Sequence, residues 1–137
     1  MSLEFPFKYA YIGKLGKLFY PMITAGLKTI EGWREFEFLI DTGADVTTVP
    51  LHLLPVLGIK TSKLSKTKIF GVGGIFTDAW DFKLTLRLGT TELVTQASAV
   101  DAKNDSMPLL LGRKDIFERR FNLALDSKRK LTIISEN

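Results

Sequence analysis

A chain of 137 residues, 45% hydrophobic and 25% charged, has the length for one domain with a real core and the composition of an ordinary globular protein. The absence of cysteine excludes a disulfide framework, thiol catalysis and thiolate zinc sites. The net charge of +4 is small and dispersed, and its densest patch, Lys60, Lys63, Lys66 and Lys68, has no interleaved aromatics, which favours a solvated face over a single-strand nucleic-acid site.

Residues Phe5 to Phe19 mix aromatics with lysine and glycine and suggest one short strand or a loosely packed arm. Tyr20 to Ala25 and Arg34 to Ile40 read as two strands, with turn signals at Gly26-Leu27-Lys28 and Glu31-Gly32-Trp33 between them. In the second strand Phe36, Phe38 and Ile40 share a face, which puts Glu37, Leu39 and Asp41 on the other. Asp41-Thr42-Gly43-Ala44-Asp45 then reads as a turn: Asp bonds nearby backbone, and a glycine lets N–H groups close on the carboxylate.

Val46 to Val49 is β-rich and Pro50 ends or edges it. Leu51 to Ile59 suggests a helical turn or buried loop closed by Gly58; within it the lone His52, flanked by leucines, favours a structural role over a serine-type triad. Ile69-Phe70-Gly71-Val72-Gly73-Gly74-Ile75-Phe76 pairs two β-rich arms around a tip with little side chain, the pattern of a hairpin. It lacks the spacing of a dinucleotide G-x-G-x-x-G and the Gly-Lys-Ser/Thr of a phosphate loop.

From Trp80 to Leu88 apolar and polar residues alternate strictly, so one face is buried; Gly89-Thr90-Thr91 turns the chain into Glu92 to Val100 as an antiparallel neighbour. A polar loop over residues 101–106 precedes the apolar run Met107-Pro108-Leu109-Leu110-Leu111, closed by Gly112-Arg113 and followed by an expected short helix. Arg119 to Leu125 and Lys130 to Ser135 complete a terminal hairpin around a basic turn.

The acid turn, the glycine hairpin and Leu-Leu-Gly-Arg, in that order after an apolar strand, resemble the retropepsins, the aspartic proteases of retroviruses, retroelements and their cellular relatives. The resemblance covers roughly residues 20 to 135 and implies an all-β fold: a closed β-barrel with one short helix near residues 113–119, active as a two-fold homodimer. It implies Asp41, Thr42 and Gly43 as the catalytic turn, with Ala44 and Asp45 meeting the substrate backbone. Gly71, Val72, Gly73 and Gly74 would form a flap over the substrate. It also implies that the Gly112 segment passes beneath the turn, with Arg113 paired to Asp45. Viral members end in a plainer strand that joins the partner; the extra terminal hairpin resembles cellular and prokaryotic members more.

Aspartic proteolysis needs two carboxylates sharing a proton, and this chain has one suitable turn. Asp126 follows an apolar run, but Lys128 stands where glycine is needed, so the second acid is expected from another copy of Asp41. The expected activity is an aspartic endopeptidase acting on extended or unfolded protein, with apolar preference near the cleaved bond and no metal or organic cofactor. A calcium loop fails because Gly43 and His52 occupy ligand positions. Two alternatives stand beside it: a catalytically silent peptide-binding module of the same fold, and a basic β-barrel binding nucleic acid. No apolar run reaches membrane-span length and Met1-Ser2-Leu3-Glu4 lacks a basic signal start, so a soluble cytoplasmic protein without membrane partners is expected.

Overall fold

The computed structural model describes residues 2–70, 74, 76–102 and 107–137. Twelve strands run β1 (Ser2–Pro6), β2 (Lys8–Ile12), β3 (Gly16–Tyr20), β4 (Met22–Thr29), β5 (Gly32–Ile40), β6 (Thr47–Pro50), β7 (Ser65–Phe70), β8 (Phe76–Leu88), β9 (Thr91–Val100), β10 (Leu109–Leu111), β11 (Phe121–Asp126) and β12 (Leu131–Glu136). The main sheet has the order β4-β5-β10-β6-β9-β8-β7, and β8 also pairs with β4, so the sheet closes on itself and leaves β7 on the outside. The all-β closed barrel is therefore as expected.

Its interior is filled from the alternating strands. Phe82, Leu84, Leu86 and Leu88 of β8 point inward, as the period-two pattern requires, and meet Leu27, Phe38, Val49, Ala97, Ala99 and Leu111. Gly26, a turn signal in the sequence, instead lies inside β4 at the point of closure, opposite both Glu35 and Arg87. The Arg87 guanidinium stacks over the Trp33 ring at 4.6 Å, and both side chains lie beside Gly26.

Three strands stand outside the barrel as a separate sheet, β1-β12-β11. Strand β12 is thus bonded on both edges within one chain, and Phe121 of β11 and Ile134 of β12 bury the inner face of this sheet against the core. Residues 2–20 form more than one strand or a loose arm: β1 joins this terminal sheet, and β2 and β3 form a two-stranded hairpin of their own.

The helix expected near residues 113–119 is a run of overlapping turns. The N–H groups of Ile116, Phe117 and Glu118 all converge on the Arg113 carbonyl, so no regular ladder propagates. Asp115 interrupts it with a left-handed backbone, φ 66°. That residue has another task. Its carboxylate accepts the Gln96 N–H of β9 at 3.0 Å and pairs with Arg119 at 3.0 Å, while the Thr95 hydroxyl donates to the Lys114 carbonyl at 3.0 Å. The segment is tied sideways to β9, which a helix facing solvent would not achieve.

The Gln96 N–H, assisted by Lys114 and Arg119, holds the Asp115 carboxyl below the usual carboxylate range. A carboxyl depressed by folding adds stability above its unfolded value, and that contribution disappears as pH falls through the folded value. Asp115→Asn keeps the side-chain shape and tolerates the left-handed backbone. It should cost about 1 kcal/mol in urea unfolding at neutral pH, and the gap from the parent protein should close as the acid range is entered.

Candidate active site

The acid turn is built by three strands. Strand β5 delivers Asp41 at its end and β6 leaves after Val46; between these two arms lies β10, parallel to β5 and antiparallel to β6. The turn must therefore be wide enough to straddle another strand. It is fixed to that strand by backbone: the Asp41 N–H donates to the Leu111 carbonyl at 3.0 Å, Arg113 N–H to Ala44 O at 3.1 Å, and Lys114 N–H to Asp45 O at 2.9 Å.

Gly112 makes the crossing possible. A methyl group there would come within 2.5 Å of the Val46 carbonyl oxygen and 2.8 Å of the Thr47 nitrogen, both backbone atoms unable to swing aside. Its own N–H donates to the buried Thr47 hydroxyl at 3.1 Å, so the contact is satisfied as well as close. The expected Arg113 to Asp45 pair is present at 2.6 Å, and the same guanidinium also donates to the Thr42 carbonyl. Both side chains are substantially exposed, so the pair contributes orientation more than stability.

Within the turn, the Gly43 N–H donates to Asp41 Oδ1 at 3.0 Å and the Ala44 N–H to the Asp41 carbonyl at 3.1 Å. Gly43 is needed here for space rather than for a left-handed backbone: a Cβ would stand 3.3 Å from Asp41 Oδ1. Asp41, Gly43 and Ala44 all line a cleft of about 1090 Å³. Thr42 is exposed and is not part of that lining, and Asp45 is exposed and paired with Arg113.

The opposite wall comes from the β7–β8 hairpin. Gly71, Val72 and Gly73 lie outside the described residues; Gly74 is exposed with φ 77°, the backbone freedom inferred for the tip. The stems contribute lining that the motifs did not single out: Lys68, Ile69 and Phe70 on one arm, Phe76, Thr77 and Asp78 on the other. Phe70 and Phe76 face one another edge to face at 4.8 Å. Their symmetric places on either side of the glycine run were a usable signal. Val100, Met107 and Leu110 complete an apolar floor, with Asp101 and Thr48 beside it.

Two other sequence candidates fall elsewhere. Asp126 accepts the Lys128 and Arg129 N–H groups at 3.1 and 2.9 Å and the Arg129 Nε at 2.7 Å, so it holds the terminal hairpin turn. Arg129 keeps its carboxyl depressed. His52 is exposed, not embedded; Leu53 and Leu54 bury the short turn around it. The lysine patch is partly engaged: Lys66 pairs with Asp78 at 3.4 Å and lies 5.8 Å from the Trp80 ring centre, and Lys68 faces the cleft.

A strand-turn-strand therefore presents one acid and straddles a third strand at a Leu-Leu-Gly crossing, beneath an open cleft. The aspartyl protease family model matches residues 28–114, and the chain belongs to that family. The fold is that of the retropepsins. A retropepsin-like aspartic protease from Rickettsia conorii aligns over 97% of this chain and 98% of its own, with 20% identity and a TM-score of 0.64. The EIAV protease bound to an inhibitor aligns over 69% of this chain and 82% of its own, with 22% identity and a TM-score of 0.55. No curated protein sequence matches the chain.

Gly112→Ala forces backbone against backbone, and should lower unfolding free energy by about 3 kcal/mol. Gly43→Ala crowds only the carboxylate, so it should cost under about 1 kcal/mol. Urea denaturation of the two variants side by side tests the ranking; equal losses would contradict it.

Proposed function

We propose that the chain is an aspartic endopeptidase that works as a two-fold homodimer, residues 1–137 acting as one domain. The observation that carries this reading is the Asp41 carboxylate, oriented by the Gly43 N–H and opening into a cleft floored by apolar side chains. One chain offers one such acid. A two-fold axis through the turns brings Asp41 of each copy to the same water, and Thr42, exposed at the crest, is placed to brace the other turn.

The chemistry follows from two carboxyls sharing one proton. The ionised Asp41 takes a proton from water as its oxygen attacks the amide carbon, and the protonated Asp41 donates to the carbonyl oxygen. Collapse of the tetrahedral diol then breaks the C–N bond: the Asp41 that had received the water proton protonates the nitrogen, and the other Asp41 takes a hydroxyl proton from the diol, which leaves a carboxylic acid and restores the shared proton. No metal or organic cofactor enters this sequence.

Substrate geometry is supported by the edge on offer. Strand β7 is paired only with β8 among the described residues, so an extended peptide running through the cleft meets an unpaired strand edge. Phe70, Phe76, Val100, Met107 and Leu110 favour apolar side chains near the cleaved bond. Ala44 and Asp45 would meet the substrate backbone from below, and Gly71, Val72, Gly73 and Gly74 are proposed to supply its cover.

Asp41→Asn should reduce cleavage of an unstructured protein at acidic pH by about 10²–10⁴-fold or more, with circular dichroism and sedimentation unchanged. Cleavage by the parent protein should be blocked by a statine-type inhibitor. Undiminished activity in the variant would remove Asp41 from the mechanism. A parent protein that binds peptides but never cuts them would leave the silent-module reading.

A further inference from the structure

The β2–β3 hairpin has no place in the barrel. It forms a two-stranded sheet by itself, and a lone hairpin is marginally stable in water at best. Register places Tyr9 opposite Phe19 and Tyr11 opposite Lys17, so these four share one face. Phe7 stacks on Phe19 at 4.1 Å, and Lys17 Nζ lies 4.2 Å over the Tyr9 ring, which extends the aromatic surface from root to tip. Yet that surface is left open: Tyr11 is 81% exposed, Leu15 at the tip 72%, Tyr9 43% and Phe19 40%.

The root of the hairpin lies beside the acid turn. The Pro21 carbonyl, next after β3, accepts the Ile40 N–H at 3.0 Å, one residue before Asp41. Lys8 of β2 pairs with Glu37 of β5, on the same strand face as Leu39 and Asp41. The arm therefore grows from the very end of the barrel that must approach a two-fold axis if the Asp41 carboxyls are to meet. Of the terminal strands, β12 is bonded on both edges inside its own chain, and only the outer edges of β1 and β11 are unpaired among the described residues.

We infer that the β2–β3 hairpin is an intersubunit arm, whose Tyr9, Tyr11, Leu15 and Phe19 surface packs on a second copy of this chain and closes the dimer that completes the acid pair. The inference rests on the homodimeric reading of the site. At roughly 200 Å² for each fully exposed large side chain, these residues leave on the order of 400–500 Å² open on each arm, a large share of the ~800 Å² per partner of a standard interface. A two-fold axis presents two such arms at once. The basic tip, Lys14 and Lys17, is the feature that a lipid surface would also use, so the test includes one.

Tyr11→Ser/Leu15→Ser removes the two most exposed side chains and should leave the barrel's circular dichroism unchanged. In sedimentation across a concentration series, its dimer dissociation constant should rise by about tenfold or more. Its peptidase activity should vanish when dilute and return when concentrated. In a chain without cysteine, Tyr11→Cys labelled with benzophenone maleimide should give a covalent dimer on illumination. The inference is overturned if the double variant pairs as tightly as the parent protein, if the parent protein is monomeric at every soluble concentration, or if the label reacts only within its own chain. It is also overturned if the double variant loses binding to anionic phosphatidylserine vesicles while its dimerisation is untouched. A parent dimer that weakens as stated but never cleaves peptides keeps the arm and removes the peptidase reading.

Discussion

A glycine crossing governs this molecule. Gly112 lies against the Val46–Thr47 backbone at a separation no side chain tolerates, and around it backbone bonds from Asp41, Arg113 and Lys114 tie the acid turn to the strand beneath. Because β10 sits between the two arms of the turn, the turn cannot relax inward, and Asp41 is held at the rim of the cleft. The rigidity comes from main-chain geometry and a buried hydroxyl, Thr47, rather than from the exposed ion pair above it. Orientation of a reacting carboxylate is worth most when the supporting atoms have nowhere to go.

The rest of the fold serves that crossing from two sides. Strands β8 and β9 close the barrel behind it and supply the cleft floor at Val100, while the turn after Gly112 is stapled to β9 by Asp115 and Thr95. The segment that carries Arg113 is thereby anchored at both ends, which explains why irregular turns suffice where a helix was anticipated. The terminal sheet adds a second layer of support: Arg120 and Thr91 both reach Glu136, fastening the chain end to the barrel.

The central strand of the terminal sheet is bonded on both edges, which leaves the outer edges of β1 and β11 open among the described residues, and a partner would have other surface to use as well. The aromatic hairpin supplies such surface at the end of the barrel where the acid sits. The arm is tied to β5, the strand that delivers Asp41, by Pro21 to Ile40 and Lys8 to Glu37, and Asp41 is tied in turn to Leu111 of β10.

Much of this was legible in the residues themselves. Strict alternation over Trp80 to Leu88 fixed the inward face of β8, and the acid turn and Leu-Leu-Gly-Arg pointed to the candidate site because Gly43 and Gly112 stand where a side chain would crowd its neighbours. Other features depended on partners distant in sequence. Gly26 read as a turn because glycine usually breaks a strand, whereas Arg87 and Trp33, brought beside it by barrel closure, give it a strand role. Residues 113–119 carry helix-compatible side chains, and only the reach of Asp115 to Gln96 sets the turns instead. The places of Phe70 and Phe76 on either side of the glycine run were visible in the sequence, but the pairing of β7 with β8 is what sets both rings in the cleft lining. Local sequence determined which residues can turn, cross or alternate, because those limits are steric and act between neighbours; the tertiary structure decided which strand each one meets, because that depends on contacts that exist only after the chain has closed.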